Sequence, residues 1–174
     1  MPVHDALAAR FPRLLTIIVP RHPARGPEIA ALLAPRSTTR REAGQDPPAE
    51  AGIWIADTLG ELGLFYRLAG HAFVGRSLVR LGGQNPIEPA RLGCAVAVGP
   101  HVFNFAEAVC ILESAGALTR VADAAALAEW VARMLTDPTR AAAMGAAGQA
   151  AVRGFEGLPA RIAGLLMELA HARA

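Results

Sequence analysis

Apolar residues fall in short continuous runs along the chain, and polar or Gly/Pro-containing segments separate them. The runs at 14–19 (LLTIIV), 52–56 (GIWIA), 71–74, 95–98 and 118–121 predict β-strands, the first of them covered on both faces. Helical patterns lie between them at 27–34, 61–68, after residue 86, and at 104–114. Alternating strands and helices predict an α/β fold with a parallel sheet.

The two ends and one internal segment depart from this alternation. Residues 2–10 resemble the back end of a helix that has no beginning. Residues 35–50 are polar, contain three prolines and predict a flexible surface loop. Asp57 or Thr58 is expected to cap the helix at 61–68.

Helices dominate the end of the chain. Asp123 and Asp137-Pro138 have the sequence of helix starts. The last helix, 158–170, carries an apolar stripe that predicts packing against a core, with peripheral contact to a membrane surface as the alternative. The stripe consists of Leu158, Ile162, Leu165, Leu166 and Leu169.

Composition narrows the class of protein. The 174 residues suit one domain, and 53% hydrophobic residues suffice for a sizeable core. A net charge of +2 gives no reason to expect a nucleic-acid partner. All 17 basic residues are Arg, which is typical of a GC-rich genome, although Arg also binds phosphate well. Cys94 and Cys110 are expected to be small residues of the hydrophobic core. Their thiols are expected to be free, as in a protein of a reducing compartment.

The sequence gives no sign of a signal peptide or of a transmembrane segment. It contains no Walker-type phosphate loop, dinucleotide-binding fingerprint or nucleophile elbow. No pair of acidic residues suggests a metal-bound diphosphate, so we expect neither a metal site nor a cofactor.

Residues 74–105 hold the main candidate site. A strand is followed by a Gly-rich loop with Gly82-Gly83, and Asn85-Pro86 then opens a helix that carries Glu88. Free N–H groups at a helix start bind anions, and a carboxylate there can accept hydrogen bonds from sugar hydroxyls. Arg21 follows the first strand, at the end of the sheet where this fold class binds ligands. The pattern indicates a nucleotide or phosphorylated-sugar pocket, with a tight connection that binds nothing as the alternative.

Four segments, in order, resemble the 3-deoxy-D-manno-octulosonic acid (Kdo) transferase family: PRHPAR at 20–25, DTLGEL at 57–62, GGQNPIEPA at 82–90 and GPHVFNF at 99–105. The resemblance implies a Rossmann-like parallel sheet flanked by helices, the C-terminal half of a GT-B glycosyltransferase. That family is inverting and metal-independent. It transfers Kdo from CMP-Kdo to a lipid A precursor in lipopolysaccharide synthesis, at the cytoplasmic face of the bacterial inner membrane.

The resemblance also implies which residues contact the CMP of the donor. They are Pro20, Arg21, Leu59, Gly60, Glu61, Asn85, Pro86, Ile87 and Glu88. Arg21 would neutralise the phosphate, the amides near Gly60 and Asn85 would bind phosphate or ribose, and Glu88 would accept the ribose hydroxyls. Two positions depart from the family pattern: Arg76 stands where a second Gly is expected, and Gln84 stands where His is expected.

The resemblance covers only the C-terminal half of the family's length. We therefore expect residues 1–174 to be a truncated donor-binding domain. The general base, the acceptor surface and one inner strand would be absent, and the chain would be unstable or prone to aggregate alone. Two alternatives stay open: a nucleotide-binding module without turnover, and another GT-B enzyme such as a nucleotide-sugar epimerase.

Overall fold

The computed structural model of the chain describes residues 2–153 and 158–171. Its strands are β1 (Leu15–Ile18), β2 (Thr38–Arg40), β3 (Gly52–Ile55), β4 (His71–Val74), β5 (Ala95–Val98) and β6 (Leu118–Arg120). Its α-helices are α1 (Pro2–Ala8), α2 (Gly26–Leu33), α3 (Leu62–Ala69), α4 (Ile87–Arg91), α5 (Ala106–Ser114), α6 (Ala124–Thr136), α7 (Pro138–Val152) and α8 (Leu158–His171). Parallel strands flanked by helices confirm the predicted α/β class.

The strands form two separate three-stranded sheets, both parallel. One has the order β1-β3-β2, with Leu15 opposite Gly52 and Ile18 opposite Ile55. The other has the order β4-β5-β6, with His71 opposite Ala95. Each sheet has its most buried strand in the middle, between two neighbouring strands.

The core surrounds the two central strands, β3 and β5, whose residues are all buried. Successive side chains of a strand point to opposite faces. Val96 and Val98 therefore pack in the cluster with α5, and Ala95 and Ala97 pack in the cluster with α6. Helix α1 packs on α6, so one layer of helices extends from the second sheet toward β1.

Strand β1 is less covered than its sequence predicts. The apolar run suggested a strand buried on both faces, yet its residues are half-buried or exposed, and Leu15 is 37% exposed. The reason is topological: β1 lies at the end of its sheet, with β3 on one side only.

Three other expectations need correction. The segment 35–50, predicted as a loop, contains strand β2, which pairs in parallel with β3. Cys110 is exposed, although Cys94 is buried as predicted.

The third correction concerns the apolar stripe of α8. Ile162, Leu165 and Leu166 are exposed, so they do not pack against the core as predicted. The side chains of Leu158 and Leu169 lie outside the described residues. Among residues 2–153 and 158–171, no helix combines the length and the hydropathy needed to cross a bilayer.

Candidate functional site

A cavity of about 1,510 Å³ lies where three strands end. Six of the nine predicted contact residues line it: Pro20, Arg21, Leu59, Gly60, Asn85 and Glu88. They come from the segments that follow β1, β3 and β4, so residues far apart in sequence converge as the parallel-sheet rule predicts. The other three, Glu61, Pro86 and Ile87, do not line it.

Arg21 supplies a free cation at this cavity. Its side chain is exposed and has no ion pair or hydrogen bond within the described part of the chain. An unpaired guanidinium presents several N–H donors in one plane, which suits a phosphate or a carboxylate. Its position and its lack of a protein partner fit an anionic ligand.

The backbone at Gly60 is open to the cavity. Its φ of +83° lies in the left-handed region, and a Cβ built there would meet no atom within 4 Å. Glycine is thus needed for the turn and not for space. Leu59 beside it is 82% exposed, so an approaching ligand would cover apolar surface as well as backbone amides.

The start of α4 differs from the expected anion site. The side-chain oxygen of Asn85 accepts the N–H of Ile87 at 3.0 Å, so that amide already has a partner. Pro86, the next residue, is fully buried. Asn85 is therefore a turn-forming residue in this structure, and its remaining NH₂ group is the part that can face a ligand.

Glu88 lies close to Tyr66. Burial is the main cause that raises the pKa of Tyr66 to about 12, and the negative charge of Glu88 adds to it. The tyrosine hydroxyl thus stays protonated at neutral pH and can act as a donor inside the cavity. A carboxylate acceptor and a phenol donor that line the same cavity suit a ligand with hydroxyl groups.

Glu61 is held away from the cavity by two neighbours. Its carboxylate accepts two hydrogen bonds from Arg41, at 2.6 and 2.5 Å, and a third from the Thr58 hydroxyl. The Arg41 hydrogen bonds, followed by that of Thr58, lower the pKa of Glu61 to about 2. A carboxylate so fully paired supports the loop and has little capacity left for ribose.

Asp57 does not cap α3 as expected. Its buried carboxylate accepts from Arg40 Nε at 2.7 Å and from the Glu42 N–H at 3.0 Å. Burial alone would raise its pKa, but these hydrogen bonds outweigh burial and hold the pKa below its usual range. Asp57 thus links the end of β2 and the residues after it to the end of β3 by hydrogen bonds, three residues before Gly60.

The chain is similar in sequence and in structure to known Kdo transferases. No family model matches the chain. A Kdo transferase of Bordetella pertussis is 42% identical over 149 residues, which are 84% of this chain and 35% of that protein. One of Haemophilus influenzae is 37% identical over 166 residues, 94% of this chain and 39% of that protein. The solved C-terminal CMP-Kdo binding domain of WaaA from Acinetobacter baumannii superposes with a TM-score of 0.80 at 30% identity, covering 87% of this chain and 80% of that one.

The chain belongs to the Kdo transferase family. It spans between a third and two-fifths of the length of the Bordetella and Haemophilus relatives. The solved domain shares its fold over most of the described residues, which confirms the C-terminal half of a GT-B glycosyltransferase as the fold class.

Five further residues line this cavity although the sequence did not predict them as contacts, and two of them, Arg76 and Gln84, had been noted only as departures from the family pattern. The five are Thr58, Tyr66, Arg76, Gln84 and Asn104. Thr58, Arg76 and Asn104 each follow a strand within a few residues, so the strand-end rule that found Arg21 could have found them. Tyr66 gave no such signal, because its place on α3 depends on how that helix packs.

Arg76 is the departure with the clearest structural consequence. Its φ of +61° is the one positive value at a non-glycine position among the described residues. Side chains other than Gly, Asn and Asp are disfavoured there. The backbone therefore retains the glycine-like turn, while the residue brings to the cavity another guanidinium that has no ion pair or hydrogen bond among the described residues.

Proposed function

We propose that this chain is the donor-binding half of a Kdo transferase and that the cavity at the strand ends holds the CMP of CMP-Kdo. The observation that carries the proposal is the convergence of Arg21, Gly60 and Glu88 on one cavity, in a fold matched by a CMP-Kdo binding domain. Arg21 neutralises the phosphate, which leaves with CMP when Kdo is transferred. Glu88 accepts hydrogen bonds from the ribose hydroxyls.

Two adjustments to the expected roles follow from the geometry. Glu61 acts through the loop, because Arg41 and Thr58 occupy its carboxylate. Pro86 and Ile87 act by shaping the start of α4, where the side-chain oxygen of Asn85 accepts a hydrogen bond from the Ile87 N–H. Direct contact with CMP is thus assigned to Arg21, the amide of Gly60, the amide group of Asn85, and Glu88.

The complete enzyme, on this proposal, transfers Kdo to a lipid A precursor by an inverting, metal-independent reaction. The family resemblance supports this, as does the match to named Kdo transferases. The general base and acceptor site would come from a part of the enzyme outside these 174 residues. We place the reaction at the cytoplasmic face of the bacterial inner membrane, with any membrane association peripheral.

Calorimetric titration with CMP tests the donor site. Arg21→Ala removes a charge-assisted interaction with phosphate, so the Kd should rise roughly tenfold or more. Glu88→Gln keeps the shape but weakens acceptance from ribose, so its Kd should rise less. The matched controls are Arg91→Ala and Glu107→Gln, which remove the same charges from exposed positions outside the cavity.

Unchanged CMP affinity in both Arg21→Ala and Glu88→Gln would refute the assignment. A preference for UMP or UDP over CMP would favour another GT-B enzyme, such as a nucleotide-sugar epimerase. CMP binding without Kdo transfer, even when the rest of the enzyme is supplied, would favour a non-catalytic nucleotide-binding module.

A further inference from the structure

Three arginines line the cavity at the strand ends: Arg13, Arg21 and Arg76. Their side chains are exposed, and none has an ion pair or a hydrogen bond to a residue that the structure describes. Arg13 comes before β1 and Arg21 after it, so the length of this four-residue strand separates them, roughly 13 Å at the usual rise per residue. Arg21 and Arg76 instead follow strands, β1 and β4, and so stand at the carboxyl ends where this fold class binds ligands.

The proposed function gives a ligand to Arg21 alone. CMP-Kdo, however, carries two separate negative groups, the phosphate diester and the carboxylate of the octulosonic acid. A guanidinium interacts best with one oxyanion at a time, through two parallel N–H donors. A second unpaired guanidinium at the same cavity therefore has a matching anion in the same donor molecule.

Hydrogen bonds hold the turn that carries Arg76 in place. The Arg76 carbonyl accepts the Gly83 N–H at 3.1 Å. The hydroxyl of the next residue, the buried Ser77, donates to the Val74 carbonyl at 2.6 Å and accepts the Gly99 N–H at 2.8 Å. The backbone at Arg76 is thus fixed on both sides, while its side chain stays available to a ligand.

This fixed backbone has a conformation that favours glycine. The φ of Arg76 is +61°, where a Cβ is sterically disfavoured. Residues persist in such conformations where their surroundings impose them, and they cluster at active sites and ligand clamps. The preceding residue, Gly75, also lines the cavity, and a Cβ built there would meet no atom within 4 Å. The cavity therefore has open space beside the guanidinium for a sugar.

The arginines that support the fold in this region all have partners, in contrast to Arg76. Arg40 donates to the buried carboxylate of Asp57, and Arg41 forms an ion pair with Glu61. A structural role for Arg76 would require a similar contact from its side chain. Since the described residues provide none, the position of Arg76 is better explained by a ligand.

We propose that Arg76 is a specificity-determining residue of the donor site and that its guanidinium binds the carboxylate of the sugar acid in CMP-Kdo. The inference rests on the proposed function and adds a contact to the sugar, whereas the residues assigned above contact CMP. Arg21 and Arg76 follow strands of different sheets, so they hold the phosphate and the carboxylate from two sides. A neutral sugar on the same nucleotide would gain nothing from Arg76, so the site selects for an acidic one.

Calorimetric titration with two ligands tests the proposal. One is CMP-Kdo, and the other is the methyl phosphodiester of CMP, which has the same phosphate charge but no carboxylate. Wild type should bind CMP-Kdo more tightly. Arg76→Gln removes the charge at similar side-chain length, so the Kd for CMP-Kdo should rise about tenfold or more. The Kd for the methyl diester should change by less than about twofold.

Two further variants serve as controls. Arg76→Lys keeps the positive charge but loses the planar set of N–H donors, so its Kd for CMP-Kdo should lie between those of wild type and Arg76→Gln. Arg80→Gln removes a charge from an exposed position in the same loop that does not line the cavity, so both Kd values should stay unchanged. A Tm of Arg76→Gln equal to that of wild type shows that a change in affinity does not come from unfolding.

Equal weakening of both ligands by Arg76→Gln would assign Arg76 to the phosphate and overturn the proposal. Unchanged affinity for CMP-Kdo would also overturn it. If wild type binds the methyl diester but binds CMP-Kdo no more tightly, this inference fails while the proposed CMP site stands. If wild type binds neither ligand, the proposed function fails, and this inference fails with it. Binding of the methyl diester to wild type thus distinguishes the two failures.

Discussion

Replacing Asp57 with Asn tests the part of the structure that supports the candidate site from beneath. The Asp57 carboxylate has no exposed surface and accepts from two donors, Arg40 Nε and the Glu42 N–H. An Asn side chain has the same shape but offers a single acceptor oxygen. In either orientation of the amide, one of the two donors faces an NH₂ group and loses its partner.

The size of the effect follows from that loss. A hydrogen bond to a charged group stabilises a protein by about 1.5–3 kcal/mol. The Arg40 side chain is 22% exposed, so water compensates part of the loss on that side. We therefore expect Asp57→Asn to lower the free energy of unfolding by about 2 kcal/mol, which corresponds to about 4–8 °C in Tm for a chain of this length.

Thermal unfolding followed by circular dichroism measures this change, with Asp46→Asn as the matched control. Asp46 is exposed and has no partner in the described structure, so its replacement should leave Tm nearly unchanged. The pKa of Asp57 is lowered in the folded state, so its contribution is complete above the ordinary pKa near 4 and is lost as pH falls through the folded value. The Tm difference from wild type should thus shrink in acid.

A Tm for Asp57→Asn equal to that of Asp46→Asn at neutral pH would refute this reasoning. Gly26→Ala offers an independent check. A Cβ at Gly26 would lie 1.9 Å from the Asp57 carboxylate, so it should disturb the same contact by steric means.

Three further predictions concern single residues. Arg76→Gly should raise the free energy of unfolding by about 0.5–1 kcal/mol. Glycine adopts a left-handed backbone without strain, and this gain outweighs the larger entropy of the unfolded chain. An unchanged or lower Tm would contradict the prediction. A thiol reagent should label exposed Cys110 in the native chain but Cys94 only after unfolding. Burial shields Cys94 and raises its pKa to about 11, so little of the reactive thiolate forms. Rapid labelling of both cysteines in the native chain would contradict this prediction. Glu61→Gln should make stability fall less steeply between about pH 4 and pH 2. The Arg41 hydrogen bonds lower the pKa of Glu61, so the contribution of Glu61 to stability is lost only as pH falls to about 2. An unchanged dependence of stability on acid pH would contradict this prediction.

Local sequence signals predicted the regular elements well. Strands β4 and β5 have the predicted bounds, His71–Val74 and Ala95–Val98. Asp123 and Asp137 cap α6 and α7 by accepting the amides of Ala126 and Arg140. For the two caps the deciding interaction lies within three residues of the signal, so no knowledge of the tertiary structure is needed.

The errors arose where distant residues decide. The sequence TTR of β2 has too little apolar character to predict a strand, and it becomes one because β3 offers a free edge. Asp57 looked like a helix cap because Arg40 and Glu42 are distant in sequence. The stripe of α8 predicted a core contact, but a helical pattern alone does not identify the surface that covers it.

The candidate donor site draws on both sheets. Arg21 follows β1, and Glu88 comes in the segment after β4, so the two halves of the site belong to different sheets. No described strand joins those sheets, and the cavity between them is where the ligand's phosphate and ribose would be held apart at a fixed distance. On the proposed function, a donor held by Arg21 and Glu88 would therefore contact both sheets at once. A fixed distance between the sheets before the donor binds would strengthen binding without adding contacts to the ligand, because preorganisation removes the cost of ordering the site.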